Sequence, residues 1–144
     1  MTALLTQGLR ELGLDESRAD TLERFAALLL EKNEVMNLTA ITEPTAIAQL
    51  HLLDSAALTQ FVELSGKKVV DVGTGAGFPG MPLRILKDDF DLTLLDSLGK
   101  RIAWLAEVCE TLGLRRVECI HARAEEFAAA HREQYDIATS RAVA

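Results

Sequence analysis

The stretch VVDVGTGAGFPG, Val69–Gly80, decides the fold of this chain. It opens as an apolar, strand-like run and continues with glycines at positions 73, 75, 77 and 80. A glycine-rich turn between a strand and a helix lets the backbone approach a ligand, because glycine has no Cβ and tolerates positive φ. The stretch therefore predicts a strand-to-helix turn that holds a cofactor, and the alternative is that the glycines only form a tight turn.

Beyond this turn, short apolar runs alternate with helical segments, which is typical of an α/β fold with a parallel sheet covered on both faces. The strand order expected for such a sheet is 3-2-1-4, with the glycine turn where the order reverses. The chain ends directly after the fourth predicted strand, so we expect further elements in a complete domain. Strands are predicted near 67–72, 91–95, 117–121 and 135–139, and helices near 79–87, 98–112 and 124–131.

The N-terminal part of the chain lacks this alternation and is predicted to be helical, because its apolar residues recur at three- and four-residue spacing. The stretch 34–42 has no such period and is predicted to be a connection. Pro44 then indicates the first turn of another helix. We therefore expect a helical cap over residues 1–65 and an α/β cofactor-binding domain over residues 66–144.

Composition and charge exclude several classes of protein. The chain is 49% hydrophobic and 26% charged, and it has neither an apolar run long enough to cross a bilayer nor a leader, so we expect a cytoplasmic location and no membrane partner. Cys109 and Cys119 have no further Cys or His at metal-ligand spacing, so no metal is expected. The net charge of −7 argues against nucleic-acid binding through the overall field, although Lys100 and Arg101 form a local basic pair near the predicted turn.

The glycines themselves fit two cofactor spacings. Gly73-x-Gly75-x-Gly77 is the spacing of methyl-donor enzymes, whereas Gly75-x-Gly77-x-x-Gly80 is the spacing of dinucleotide-binding domains. Counting glycines does not distinguish the two cofactors.

Three neighbouring features favour the methyl donor. Asp71 precedes the glycines, where a carboxylate favours the positively charged end of S-adenosylmethionine and repels a pyrophosphate. Asp96 ends the next predicted strand and can accept the ribose hydroxyls of either cofactor. Phe78-Pro79 fills the path that a dinucleotide phosphate takes toward the following helix. S-adenosylmethionine is therefore the expected cofactor, and a dinucleotide-dependent oxidoreductase remains the alternative.

Six segments of the chain, in this order, carry a resemblance to a known family: NLTAI (37–41), HLLDS (51–55), DVGTGAGFPGMPL (71–83), LLDSLGKR (94–101), RAEE (123–126) and SRAVA (140–144). In these segments the chain resembles the RsmG or GidB family, the bacterial guanine-N7 methyltransferases of small-subunit (16S) ribosomal RNA. The GAGFPG and SRAVA segments are specific to that family rather than to methyltransferases at large. Members of the family continue beyond SRAVA with several more strands and helices, and there this chain differs.

The resemblance implies a class I methyltransferase (Rossmann-like) sheet, S-adenosylmethionine as donor, and N7 of one guanine in ribosomal RNA, free or in the small ribosomal subunit, as acceptor. It leaves the oligomeric state open. The residue roles that it implies are Gly73 and Phe78 at the methionine and sulfonium, Asp96 and Ser97 at the ribose, Ala124 and Glu125 at the adenine, and Arg141 at the reaction centre. The glycine turn itself adds Asp71, Gly75 and Gly77 to the expected cofactor-binding residues.

The segment after the fourth strand also bears on the acceptor. Enzymes that methylate exocyclic amines usually show Asp or Asn followed by Pro-Pro and an aromatic residue there, whereas this chain has Ser-Arg-Ala-Val-Ala, which favours a ring nitrogen. Arg141 is expected either to fix the donor's carboxylate or to bond O6 of guanine, unless it is a surface arginine. His51, Asp54 and Ser55 share one helical turn, and a hydrogen-bonded cluster is favoured over catalysis. A donor-binding half-domain without activity of its own is the alternative function.

Overall fold

The computed structural model describes residues 1–141, so the last three residues of SRAVA, 142–144, lie outside the described residues. The chain begins with helix α1 (Thr2–Glu11), a 3-10 turn (Glu16–Arg18) and helix α2 (Ala19–Met36). Helix α2 ends because Asn37 adopts a left-handed conformation with φ of 50°. The connection therefore begins at Asn37, and the prediction that it begins at residue 34 was too early.

A second helical stretch, which we call the wide-turn segment, covers residues 44–60. The Glu43 carboxylate caps it by accepting the N–H groups of Thr45 and Ala46 at 3.0 and 2.9 Å, and Pro44 occupies the first turn as predicted. Wider π turns occur in helices mostly as short insertions, often at functional sites. The segment consists of α3 (Pro44–Ala46), a π-helical stretch (Ile47–Leu53), α4 (Asp54–Ala56) and a 3-10 turn (Ala57–Gln60).

The rest of the described chain is a four-stranded parallel sheet with the order β3-β2-β1-β4. This confirms both the predicted fold class and the predicted strand order. Val72 at the end of β1 pairs with Leu95 of β2 and with Ser140 of β4, so the carboxyl ends of these strands meet at one edge. The elements are β1 (Lys68–Val72), α5 (Gly80–Leu86), β2 (Asp91–Asp96), α6 (Gly99–Leu112), β3 (Val117–His121), α7 (Ala124–Ala130) and β4 (Ile137–Ser140).

One hydrophobic core joins the N-terminal helices to the sheet and to helices α5 and α6. At its centre, Phe25 of α2 lies 5.6 Å from Phe78 of the glycine turn and 6.3 Å from Trp104 of α6, measured between ring centroids. The division into a cap and an α/β domain at residue 65 stays a prediction. Within residues 1–141, no helix is both long enough and apolar enough to cross a membrane.

Candidate functional site

The glycine turn after β1 has the backbone that its sequence predicts. Gly73, Gly75 and Gly77 have φ values of 64°, 57° and 100°, which side chains other than glycine rarely adopt. A Cβ at Gly77 would also lie 2.7 Å from Cγ of Met81. The turn therefore requires glycine both for its conformation and for its fit against helix α5.

Asp71, near the end of β1, holds this turn in place by hydrogen bonds. Its side chain is 0% exposed, and its Oδ2 accepts the Thr74 hydroxyl at 2.6 Å and the Gly80 N–H at 2.9 Å. Its Oδ1 accepts the hydroxyl of Thr139 from β4 at 3.1 Å. All of these partners belong to the protein, so the hydrogen bonds of Asp71 fix the shape of the turn. Its expected place among the donor-binding residues stays a prediction.

Burial raises the pKa of Asp71 to about 6, because the ionised carboxylate loses its hydration, and the nearby charge of Asp96 adds to the effect. The hydrogen bonds from Thr74, Gly80 and Thr139 act in the opposite direction, since they favour the charged form. Desolvation prevails over these bonds. The turn is therefore built on a group that changes its charge near neutral pH.

This raised pKa predicts a pH-dependent stability. Between pH 4 and pH 6 the folded chain keeps a proton on Asp71 that the unfolded chain has released, so stability is greatest at the acidic end and falls as the pH rises through the folded pKa. A rise of about two pKa units corresponds to about 3 kcal/mol of unfolding free energy lost between pH 4 and pH 7. Urea denaturation at several pH values in this range measures the unfolding free energy. Asp71→Asn should remove the part of its pH dependence that comes from this carboxyl group. An equal slope in both proteins would contradict the prediction.

Asp96, at the end of β2, joins the turn to the next helix. Its Oδ2 accepts the Gly75 N–H and its Oδ1 accepts the Leu98 N–H, both at 2.9 Å, and Nη1 of Arg101 lies 3.6 Å from Oδ1. The carboxylate is 4% exposed and lies on a cavity wall. Since each carboxylate oxygen has two acceptor sites, Asp96 can still accept a hydroxyl on each oxygen.

This cavity, which we call the strand-end cavity, has a volume of about 560 Å³ and lies at the carboxyl ends of β1, β2 and β3. It brings together five of the predicted cofactor residues. His121 at the end of β3 supports the wall, because its Nε2 lies 3.0 Å from the carbonyl oxygen of Ser97. The predicted residues that line the cavity are Gly73, Asp96, Ser97, Ala124 and Glu125.

Phe78 and Arg141 lie together outside the strand-end cavity. The ring of His51 stacks on Phe78 with a centroid distance of 4.4 Å, and Cζ of Arg141 lies 5.7 Å from the Phe78 centroid. Arg141 also donates from Nη2 to the Leu50 carbonyl and pairs with the Asp54 carboxylate at 3.4 Å. Arg141 therefore joins β4 to the wide-turn segment beside the glycine turn.

His51, which stacks on Phe78, is a neutral ring. Its Nε2 lies 2.8 Å from the hydroxyl of Thr39, and burial together with the charge of Arg141 lowers its pKa, while Asp54 opposes the shift. Within residues 1–141, no hydrogen bond joins His51, Asp54 and Ser55 to one another, so they form no catalytic triad, and the prediction that they form a hydrogen-bonded cluster was wrong. The partner of His51, Thr39, comes from NLTAI and was not predicted.

The hydrogen bonds of the turn bear on the choice of cofactor. A dinucleotide-binding turn offers free backbone N–H groups to a pyrophosphate at the start of the following helix. Here the Gly80 N–H is bound by the Asp71 carboxylate, and the Gly77 and Phe78 N–H groups are bound by the Thr74 carbonyl. A pyrophosphate at this place would meet a buried carboxylate instead of free donors. The geometry therefore favours the methyl donor.

A larger cavity, of about 770 Å³, opens against the sheet surface at Val70, Phe127 and Tyr135. It is larger than the strand-end cavity, but of the predicted site residues only Ala124 reaches it. Its walls are mainly apolar side chains that stand on a sheet face and on α7. We therefore place the candidate site at the strand-end cavity, where the polar groups and the glycine turn converge.

Most of this chain is similar in sequence to known proteins that share one description. Residues 18–144 match the sequence profile of the family described as GidB, rRNA small subunit methyltransferase G. A protein of Alkaliphilus metalliredigens named ribosomal RNA small subunit methyltransferase G is 48% identical, over 98% of this chain and 61% of its own length. One of the same name from Desulforamulus reducens is 44% identical, over 100% of this chain and 62% of its own length. The chain thus spans about three-fifths of the length of these two relatives.

Among solved structures, a SAM dependent methyltransferase from Aquifex aeolicus matches 56% of this chain and 43% of its own, with a TM-score of 0.46 and 26% identity. TehB from Haemophilus influenzae matches 76% of this chain and 32% of its own, with a TM-score of 0.46 and 28% identity.

Proposed function

Since the chain belongs to the GidB family, rRNA small subunit methyltransferase G, we propose that it binds S-adenosylmethionine and transfers its methyl group to N7 of a guanine in small-subunit ribosomal RNA. We further propose that it does so in the cytoplasm, with the RNA or the small ribosomal subunit as its partner. The observation that carries the donor assignment is the strand-end cavity, where Asp96 and the glycine turn meet.

The residues of the cavity fit an adenosyl group. The Asp96 carboxylate lies at the end of β2 with acceptor capacity left on both oxygens, which suits two neighbouring ribose hydroxyls. Ser97 is exposed beside it, and Ala124 and Glu125 begin helix α7 on the far wall, where we place the adenine. Gly73 offers open backbone on the side toward the glycine turn, where we place the methionine end.

The bound donor supplies an electrophilic methyl on sulfur, and the protein's task is to hold the acceptor in line with it. A ring nitrogen such as N7 has a free in-plane lone pair, so no side chain has to remove a proton before the transfer. His51, which the structure keeps neutral and hydrogen-bonded to Thr39, is therefore not required as a base. Alignment and exclusion of water are what the surrounding residues provide.

The acidic charge of the chain limits how it binds RNA. Phosphate neutralisation supplies much of the affinity of RNA-binding proteins, and a net charge of −7 opposes it. Lys100 and Arg101 lie in the first turn of α6, which begins at Gly99 after the cavity residues Ser97 and Leu98, and they place two positive charges next to the proposed donor. We propose that this pair contacts a phosphate of the RNA close to the methylated base.

The donor assignment predicts binding by this chain and its loss on substitution of Asp96. In calorimetric titrations, S-adenosylmethionine and S-adenosylhomocysteine should bind and NAD should not. Asp96→Ala should weaken binding by about 100-fold or more, since each of two charge-assisted hydrogen bonds to the ribose contributes about 1.5–3 kcal/mol net. Asp91→Ala is the matched control, because it removes an exposed acid from the opposite end of the same strand.

The titrations and one further assay separate the alternatives. Binding of NAD in place of the donor would favour the oxidoreductase that the second glycine spacing allows. Transfer of a labelled methyl group to small-subunit RNA tests the enzyme itself. Donor binding without any transfer, to RNA or to the assembled subunit, would favour the donor-binding half-domain without activity of its own.

A further inference from the structure

A second, smaller cavity of about 240 Å³ lies between the wide-turn segment and the carboxyl end of β4. We call it the Ser55 cavity. Its walls are the end of the wide-turn segment on one side and the glycine turn and β4 on the other. The residues that line it include Asp54, Ser55, Phe61, Pro79, Ser140 and Arg141.

Two polar groups at this cavity lack partners within residues 1–141. Ser55 is 2% exposed and its hydroxyl makes no hydrogen bond. Nη1 of Arg141 is likewise buried without an acceptor, although Nη2 of the same guanidinium is bound by Leu50 and Asp54. A buried donor without an acceptor is costly, and folded proteins rarely keep one. Two of them at one cavity indicate a ligand that supplies the acceptors.

The walls of the cavity indicate a flat ligand. Phe61 is 83% exposed although it is a large apolar side chain, and it stands at the cavity with Pro79 as another apolar wall. Enzymes that act on a nucleic-acid base hold the extruded base between aromatic and apolar side chains and read its edge with hydrogen bonds. An exposed phenylalanine beside unpartnered donors matches this arrangement.

The Ser55 cavity lies where a base bound in it could receive a methyl group from a donor bound in the strand-end cavity. Ser140 lines the Ser55 cavity, and Val72 lines the strand-end cavity. These two residues are partners in the parallel register of β1 and β4, and neighbouring strands lie about 4.8 Å apart. The two cavities are therefore next to each other along the carboxyl edge of the sheet.

We propose that the Ser55 cavity is the pocket for the acceptor base, and that Asp54 and Arg141 select guanine within it. The inference rests on the proposed function, which it deepens by naming the residues that read the base. Ser55 supplies a further donor inside the pocket, and Phe61 stacks on the face of the base.

The charges of Asp54 and Arg141 match the edge of guanine and oppose that of adenine. Guanine presents the acceptor O6 beside the donors N1–H and N2–H, so a guanidinium bonds O6 while a neighbouring carboxylate accepts the N–H groups. Adenine presents a donor at N6 and an acceptor at N1, which reverses this pattern. The 3.4 Å ion pair between Asp54 and Arg141 keeps the two groups side by side, as the guanine edge requires.

The same arrangement keeps N7 free for the reaction. Arginine usually binds guanine with two N–H groups, one on O6 and one on N7, and that geometry would occupy the lone pair that receives the methyl group. In this chain Nη2 of Arg141 is bound by Leu50 and Asp54, so the fork formed by the two terminal nitrogens is not free for the base, whereas the buried Nη1 is. One donor suffices for O6, and N7 stays uncovered.

The test is a nuclear magnetic resonance titration of the 144-residue chain, in which the amide signals of the two cavities are followed separately. S-adenosylhomocysteine is added first, and guanosine 5′-monophosphate or adenosine 5′-monophosphate is added afterwards. We expect S-adenosylhomocysteine to shift Gly73, Ser97 and Glu125, and the guanine nucleotide to shift Ser55 and Phe61 with about tenfold tighter binding than the adenine nucleotide.

Variants connect these shifts to the named contacts. Asp54→Asn should abolish the preference for guanine, and Phe61→Ala should weaken both nucleotides. Glu34→Gln and Val35→Ala are the matched controls, since they remove an exposed acid and an exposed apolar side chain outside the cavity. Equal binding of the two nucleotides, or guanine shifts confined to other residues, would overturn the inference. Absent S-adenosylhomocysteine shifts would instead count against the proposed function, because they concern the other cavity.

Discussion

Asp71→Ala is expected to lower the free energy of unfolding by about 3 kcal/mol at pH 7 and to abolish donor binding. The substitution leaves the Thr74 hydroxyl, the Gly80 N–H and the Thr139 hydroxyl without their acceptor, and each buried, unsatisfied donor costs about 1–3 kcal/mol. Part of this cost is offset, because the burial of the charged carboxylate is relieved at the same time. The net loss is large for a chain of this size.

Urea denaturation at pH 7 measures this loss, and calorimetry with S-adenosylhomocysteine measures the loss of binding. Asp136→Ala is the matched control, because Asp136 also accepts a backbone N–H at the sheet, that of Lys68 at 2.8 Å, but is exposed. Water replaces an exposed acceptor, so the control should lose less than about 1 kcal/mol. An Asp71→Ala protein as stable as the control would refute the role of this carboxylate as the support of the turn.

Gly73→Val is expected to weaken donor binding by about 100-fold or more without a matching loss of stability. Nothing lies within 4 Å of a Cβ built on Gly73, so the added side chain has room in the protein itself. That room is the wall of the strand-end cavity, where the donor would have to lie. The positive φ of 64° adds strain of about 1–2 kcal/mol, which affects the fold and the site alike.

Gly13→Val separates strain from obstruction. Gly13 has a φ of 72° and likewise nothing within 4 Å of an added Cβ, but it follows helix α1 and does not line the cavity. Both variants should lose similar stability in urea denaturation, and only Gly73→Val should lose binding in calorimetry. If both variants bound S-adenosylhomocysteine equally well, the donor would not lie against Gly73.

The fold was predictable because its signals are local. The glycine turn, the alternation of strands and helices and the helix start at Pro44 depend on residues close together in sequence, and the structure confirms them. The end of α2 was misjudged because Glu34–Met36 continue the helix without an apolar period. The left-handed Asn37 ends it, and asparagine is one of the few residues that favour this conformation, so the signal was present but was not used in the prediction.

The site was predictable only in part, because several of its contacts join distant segments. Gly73, Asp96 and Ser97 follow the strand ends that the pattern locates, and they do line one cavity. The bond between Asp71 and Thr139 spans 68 residues, and no local pattern reveals that this carboxylate is buried rather than turned toward a ligand. The sequence likewise showed the Ser55 hydroxyl on a helix but not the cavity beside it.

The packing of Phe78 has an energetic consequence for a ligand on the glycine turn. Because its ring lies in the core between Phe25 and His51, the turn cannot move without disturbing packing that also holds helix α2 in place. The conformational entropy of the turn is therefore lost when the chain folds and not when a ligand arrives. A ligand that meets an already ordered backbone keeps more of its contact energy as affinity.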